Sequence, residues 1–138
     1  MSRRNDEYCC KNCKILFRPH YSSFGIFCSL KCQYEYTRKQ NISSWLEGKV
    51  YPLNTNGVLK PFIRRYFIEK NNNKCSLCGW GIINRSTGLV PLEIDHIDGN
   101  HMNNALENLR VLCPNCHSLT TTYKNSNKGK GRKNRNAR

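Results

Sequence analysis

Between Leu92 and His117 the chain reads LEIDHIDGNHMNNALENLRVLCPNCH. This stretch holds four of the nine acidic residues, three of the four histidines and a Cys-x2-Cys pair, in a chain of formal net charge +14. Carboxylates and imidazoles gathered in a basic protein are the side chains that hold a cation and move a proton. The segments LEIDHI and NLRVLC predict two antiparallel strands joined by the polar loop DGNHMNNALE. Pro114 then opens a helix, PNCHSLTTTYK, because its fixed φ and missing N–H suit the first helical turn. Adjacent helical side chains diverge by about 100°. If Cys116 faces a metal, His117 therefore faces elsewhere and is poised for a separate site. Asp95 and His96 are neighbours on a strand and would normally point to opposite faces. For both to serve one site the strand must break or bulge, and Asp98, Gly99 and Asn100 supply a break.

Eight of the nine cysteines fall into paired clusters: Cys10 and Cys13 with Cys28 and Cys32, and Cys75 and Cys78 with Cys113 and Cys116. This spacing predicts two structural four-cysteine zinc sites rather than a disulfide framework. Cys9 competes with Cys10 as a ligand, and Cys10 is favoured because its x2 spacing makes the usual tight knuckle. The segment MSRRNDEY lacks the apolar core of a signal peptide, and no run approaches the ~18 apolar residues of a membrane span. Reducing cytoplasm, where thiolates persist, is the expected compartment, with no membrane partner. Two zinc sites of charge −2 each would still leave a balance of about +10, a surface that attracts polyphosphate.

The set Asp95, His96, Asn108 and His117, inside LEIDHIDGN…ENLRVLCPNCH and flanked by both Cys-x2-Cys pairs, resembles the HNH endonuclease family, in its zinc-stapled branch. The resemblance covers about residues 70–123. ISSWLEGK and KCSLCGW are similar to segments of phage-encoded or mobile-element members. It implies a ββα-metal, treble-clef-like finger in which Asp95 and His117 bind a catalytic divalent cation. His96 would be the general base, and Asn108 would hold the loop that orients it. It further implies hydrolysis of DNA to 5′-phosphate and 3′-hydroxyl ends. One carboxylate, one imidazole, phosphate oxygens and waters suit Mg²⁺ or Mn²⁺. Of the other acids, Glu93 is a candidate to support the ligands, while Asp98 and Glu107 shape the loop. No small-molecule cofactor is expected. The alternative is a zinc-dependent nucleic-acid-binding protein without catalysis.

The expected fold is therefore small, α+β and zinc-stabilised, with the HNH finger preceded by an N-terminal zinc knuckle and linking helices. Residues 1–40 form the knuckle module, with a short hairpin carrying Phe17 and Phe27 and a helix capped by Ser29. Residues 41–73 are a helical linker with ISSWLEGK and PFIRRYFIEK as its helices, residues 74–123 the nuclease domain, and residues 124–138 a disordered basic tail. Candidate nucleic-acid contacts are Arg110, projecting between inward Leu109 and Val111, then Arg64 and Arg65, and Lys130, Arg132 and Lys133 of the tail. A monomer or weak dimer is expected, in a bacterial host cell and on the nucleoid when bound.

Overall fold

A computed structural model describes residues 6–19 and 26–124. The chain divides into two compact units, Met1–Tyr51 and Pro52–Arg138.

In the first unit, β1 (Tyr8–Cys9) pairs antiparallel with β2 (Leu16–Phe17), placing Tyr8 opposite Phe17. The chain reversal between them is the Cys10–Cys13 knuckle itself. Cys10 N–H donates to the Ile15 carbonyl and Lys14 N–H to the Cys10 carbonyl, both at 2.9 Å. The hairpin thus encloses the knuckle, whereas the sequence suggested one carrying Phe17 and Phe27 after it. Phe27 packs instead against Tyr36, with ring centroids 5.4 Å apart.

Tyr36 belongs to α1 (Leu30–Leu46), whose N-cap is Ser29; its hydroxyl accepts from Cys32 N–H at 3.2 Å. This helix runs without interruption through residue 41, where ISSWLEGK was expected to start a second one. No proline or glycine lies between Leu30 and Leu46, so nothing breaks the i→i−4 ladder. It stops at Gly48, whose φ is +74. Gly48 N–H reaches Trp45 O at 2.9 Å and Lys49 N–H reaches Ser44 O at 2.8 Å, the paired bonds of a Schellman cap. The 40/41 boundary therefore falls inside one helix.

The second unit opens with a tight reversal in which Leu53 and Leu59 form an antiparallel bridge. α2 (Pro61–Lys70) follows, with Pro61 in its first turn. Ile63 and Phe67, four residues apart, lie on one buried face. β3 (Glu93–His96) and β4 (Leu109–Leu112) pair antiparallel, Asp95 opposite Arg110 and His96 opposite Leu109. A single 3-10 turn, Leu106–Asn108, leads into β4. α3 (Pro114–Ser118) completes the expected β, β, α order. It is shorter than PNCHSLTTTYK suggested. The Thr120 hydroxyl donates to the His117 carbonyl at 2.9 Å, offering that oxygen a partner other than the next helical N–H. Ile63, Leu92, Val111 and Leu112 are fully buried and form the centre of this unit. Among the described residues, no helix is long and apolar enough to cross a membrane.

Ile63 is the one fully buried side chain that α2 adds to this centre. Ile63→Ala should cost about 2–5 kcal/mol by transfer and cavity effects. Urea unfolding measures it, and an unchanged midpoint would contradict this packing.

Candidate active site

Each cysteine cluster brings four sulfurs within 4.8 Å of one another. Zn–S bonds of about 2.3 Å in a tetrahedron place sulfurs about 3.8 Å apart. The measured Cys13–Cys28, Cys28–Cys32 and Cys78–Cys113 separations are 3.6, 3.5 and 3.8 Å. Cys10 is the member of the first cluster; the Cys9 thiol turns to the Lys14 carbonyl at 3.4 Å. Burial raises the Cys10 thiol, but N–H groups of Cys13, Cys28 and Asn12 outweigh it and bring its pKa to about 6. Cys28 is pushed up to about 12 by the sulfurs of Cys32, Cys13 and Cys10. The second cluster repeats this: Cys75 falls to about 6, amide donors outweighing burial, while Cys78 and Cys113 push Cys116 up to about 12. Four sulfurs this close resist ionising together unless a cation sits among them. Both clusters fit zinc.

The second cluster also orients what lies beside it. The Cys75–Cys78 knuckle docks on β4, where Ser76 N–H and hydroxyl both donate to the Val111 carbonyl, at 2.8 and 2.7 Å. Cys113 caps α3 through its sulfur, 3.5 Å from Cys116 N–H. With Cys116 among the sulfurs, the next residue turns away, and the His117 ring faces β3. Its Nδ1 lies 2.8 Å from Glu93 Oε2 and its Nε2 lies 3.7 Å from Asp95 Oδ1.

A carboxylate only accepts, so in the neutral ring the hydrogen belongs on Nδ1, against Glu93. The Nε2 lone pair is then left facing Asp95. Asp95 is buried, at 6% exposure, and its other oxygen accepts from Arg110 Nε at 2.7 Å. Two electron-rich atoms therefore look at each other across 3.7 Å. Ligands of an octahedral ion with ~2.1 Å bonds sit about 3.0 Å apart when cis and about 4.2 Å when trans. The pair is suited to a small divalent cation with slight adjustment.

His96 follows Asp95 as the last residue of β3, and the chain turns immediately after it. Both line one cavity of about 560 Å³ together with Glu93 and His117. The His96 Nε2 lies 3.0 Å from Asn104 Oδ1. The Asn104 amide nitrogen donates to the His101 and Met102 carbonyls at 3.2 and 3.1 Å, so its oxygen must be the atom facing His96. His96 thus carries hydrogen on Nε2 and a lone pair on Nδ1, the reverse of His117.

Asn108, 8% exposed, closes the loop. Its oxygen accepts from Asp98 N–H at 3.1 Å, and its amide donates to Asp98 Oδ1 at 2.9 Å and to the Asn103 carbonyl at 2.7 Å. The direct partner of His96 is Asn104, which sequence reasoning missed; one asparagine among four in an asparagine-rich loop carries no spacing signal. Asp98 also accepts from the Asn103 amide and Asn100 N–H, both at 2.8 Å. Those donors, Asn103 first, then Asn100 and Asn108, hold its carboxyl down at about 2.

Arg110 was expected to project toward phosphate, but its guanidinium meets Asp95, its cross-strand partner. Arg65 pairs with Glu69 one helical turn on, at 2.8 Å. Arg64 donates to the Leu92 carbonyl and lines the cavity. Lys130, Arg132 and Lys133 lie outside the described residues.

The family model of the HNH endonuclease matches residues 75–122, and this match places that segment in the HNH endonuclease family. A relative named H-N-H endonuclease F-TflIV, from Escherichia phage T5, is 47% identical over 58 residues. The aligned stretch is 42% of this chain and 25% of that relative, so the chain spans about a quarter of the relative's length. No solved structure matches the chain.

Two outcomes follow from these contacts. Long-range ¹⁵N–¹H spectra of labelled histidine should report opposite neutral tautomers, Nε2–H for His96 and Nδ1–H for His117. Asn104→Ala and Glu93→Ala should each disturb only the ring they touch; like tautomers would contradict the assignment. Asp98 has a folded pKa of about 2, against roughly 3.9 when unfolded. Its support of the loop is therefore complete above about pH 4 and lost as pH falls toward 2. Amide exchange at Asn100 should quicken in that window relative to its intrinsic rate, and a Asp98→Asn variant should lack the transition.

Proposed function

We propose that this chain is a metal-dependent HNH endonuclease that hydrolyses DNA phosphodiester bonds, leaving 5′-phosphate and 3′-hydroxyl ends. The observation that carries this is the meeting of Asp95 Oδ1 and His117 Nε2, 3.7 Å apart, in the cavity that His96 also lines. Neither residue belongs to a cysteine cluster. The family match and the phage relative's name support the same chemistry.

Asp95 and His117 would hold Mg²⁺ or Mn²⁺. The bound ion supplies positive charge to the phosphate and to the departing 3′ oxygen. His96 is the general base. A neutral imidazole can take a proton from water. The atom that takes it is Nδ1, because Asn104 holds the Nε2–H. Asn108 acts one step back, closing the loop that presents Asn104. Glu93 and Arg110 occupy the outward atoms of His117 and Asp95, leaving the inward atoms for the cation.

The cysteine tetrads hold structural zinc, the second within a treble-clef-like ββα finger. Net charge +14 favours a polyanionic partner. Arg64 and the tail residues Lys130, Arg132 and Lys133 are the cations assigned to DNA phosphates. Arg65 and Arg110 share their charge with carboxylates and contribute less. One such site per chain makes a nick the product of a monomer, and a double-strand cut the work of a dimer or of successive nicks.

Supercoiled plasmid incubated with Mg²⁺ or Mn²⁺ should be nicked by the wild type. His96→Ala should lower the rate by about 10²–10⁴-fold, the range for a lost general base, while still retarding DNA on a gel. Binding without cutting under every divalent cation would instead favour a zinc-dependent nucleic-acid-binding protein. Metal analysis should find about two zinc ions per chain. A single zinc would remove one tetrad from the scheme.

A further inference from the structure

The cavity that holds Asp95, His96 and His117 has a wall that the matched family segment does not supply. That segment begins at residue 75, whereas Leu53, Gly57, Val58 and Leu59 line the cavity from the reversal that opens the second unit. This reversal is tightly built. Asn54 N–H donates to the Val58 carbonyl at 2.8 Å, and Gly57 N–H to the Asn54 carbonyl at 3.0 Å. The Asn54 side-chain oxygen accepts from Asn56 N–H and Val58 N–H at 3.0 and 2.9 Å, and Lys60 N–H closes on the Pro52 carbonyl at 2.9 Å. Gly57, at φ +68, supplies the left-handed turn that these bonds require.

Its surface divides into two parts. Leu53, 5% exposed, belongs to the core, but Val58 keeps 39% of its surface open at the cavity. The same lining also carries charged groups. Glu93 and Asp95 balance Arg64 and Lys124 in the lining, and a divalent ion would tip it to a surplus of two positive charges. A lining that combines apolar side chains with a cationic surplus is complementary to a nucleotide, whose sugar is rich in C–H groups and whose phosphate is anionic. An aliphatic peptide would meet uncompensated charge, and a free phosphate would leave the apolar wall uncovered.

We propose that the Leu53–Leu59 reversal is a substrate wall: Val58 packs against the deoxyribose next to the scissile phosphate and fixes where along the strand the cut falls. This rests on the nuclease reading of the same cavity. A preformed wall loses little entropy on binding and holds the phosphodiester in register with His96 and Asp95.

The test uses the full chain, a long DNA of varied sequence and Mn²⁺, with cut positions mapped at nucleotide resolution. Val58→Asp places a like charge against the strand; Val58→Thr keeps the side-chain shape. Val58 is exposed at a turn, so both variants should melt with the wild type. Val58→Asp should lower kcat/KM about 10²-fold, as expected for misplaced reacting groups, and redistribute the cuts that remain. Val58→Thr should keep the wild-type rate and map. If both variants cut at the wild-type positions and rate, the wall is overturned while the nuclease stands. A loss in Val58→Asp caused by lowered melting would be shared by Asn54→Ala, which loosens the turn. A charged variant that melts early and keeps its cut map also overturns the proposal. If the wild type cuts no DNA, the nuclease reading fails and the wall with it.

Discussion

The convergence of four cysteine sulfurs is the constraint on which the second unit depends. Cys75 and Cys78 come from a knuckle far from Cys113 and Cys116 in sequence, yet their sulfurs lie close enough to share a tetrahedral zinc. Closing that cluster fixes the end of β4 and the start of α3 together. Cys113 ends the strand side and caps the helix, and Cys116 faces the other three sulfurs, so the direction of the next side chain is no longer free. A core of Ile63, Leu92, Val111 and Leu112 alone is small for this work. A zinc ion held by this tetrad would do for the unit what a larger apolar interior does elsewhere.

From that constraint the rest of the site follows by register. β3 and β4 pair so that Asp95 faces Arg110, which takes one carboxylate oxygen and leaves the other toward His117. Glu93, two residues earlier on the same face of β3, meets the outer nitrogen of the same imidazole. The loop between the strands is held by asparagines rather than by apolar packing. Asn108 closes it, Asp98 gathers donors within it, and Asn104 fixes the His96 ring. In their neutral forms the two imidazoles carry opposite tautomers, one suited to accept a proton and one to bind an ion. This is a way to give identical side chains different chemistry through their hydrogen-bond partners alone.

Much of this was legible in the chain because the signals are local. The Cys-x2-Cys spacings define the knuckles, alternation defines LEIDHI and NLRVLC, and Pro114 with the helical angle separates His117 from Cys116. What escaped depends on contacts between distant residues or on competition between local rules. The N-terminal hairpin was misplaced because the knuckle itself reverses the chain, and α1 was split because its weak amphipathic pattern hid an unbroken run free of proline and glycine. Strand alternation alone made Arg110 a candidate phosphate contact; only the cross-strand partner Asp95 shows where its charge goes. The Leu53–Leu59 reversal escaped notice, since no residue in PLNTNGVL announces that it faces a cavity built forty residues later.

The most direct measurement is titration of Mn²⁺ into the zinc-loaded protein, followed by the loss of free-ion electron paramagnetic resonance. One ion per chain, abolished in both Asp95→Ala and His117→Ala with zinc content unchanged, is the expected result. Uptake that survives both substitutions, or that proceeds only by displacing zinc from the cysteines, would contradict a separate cation site between β3 and α3.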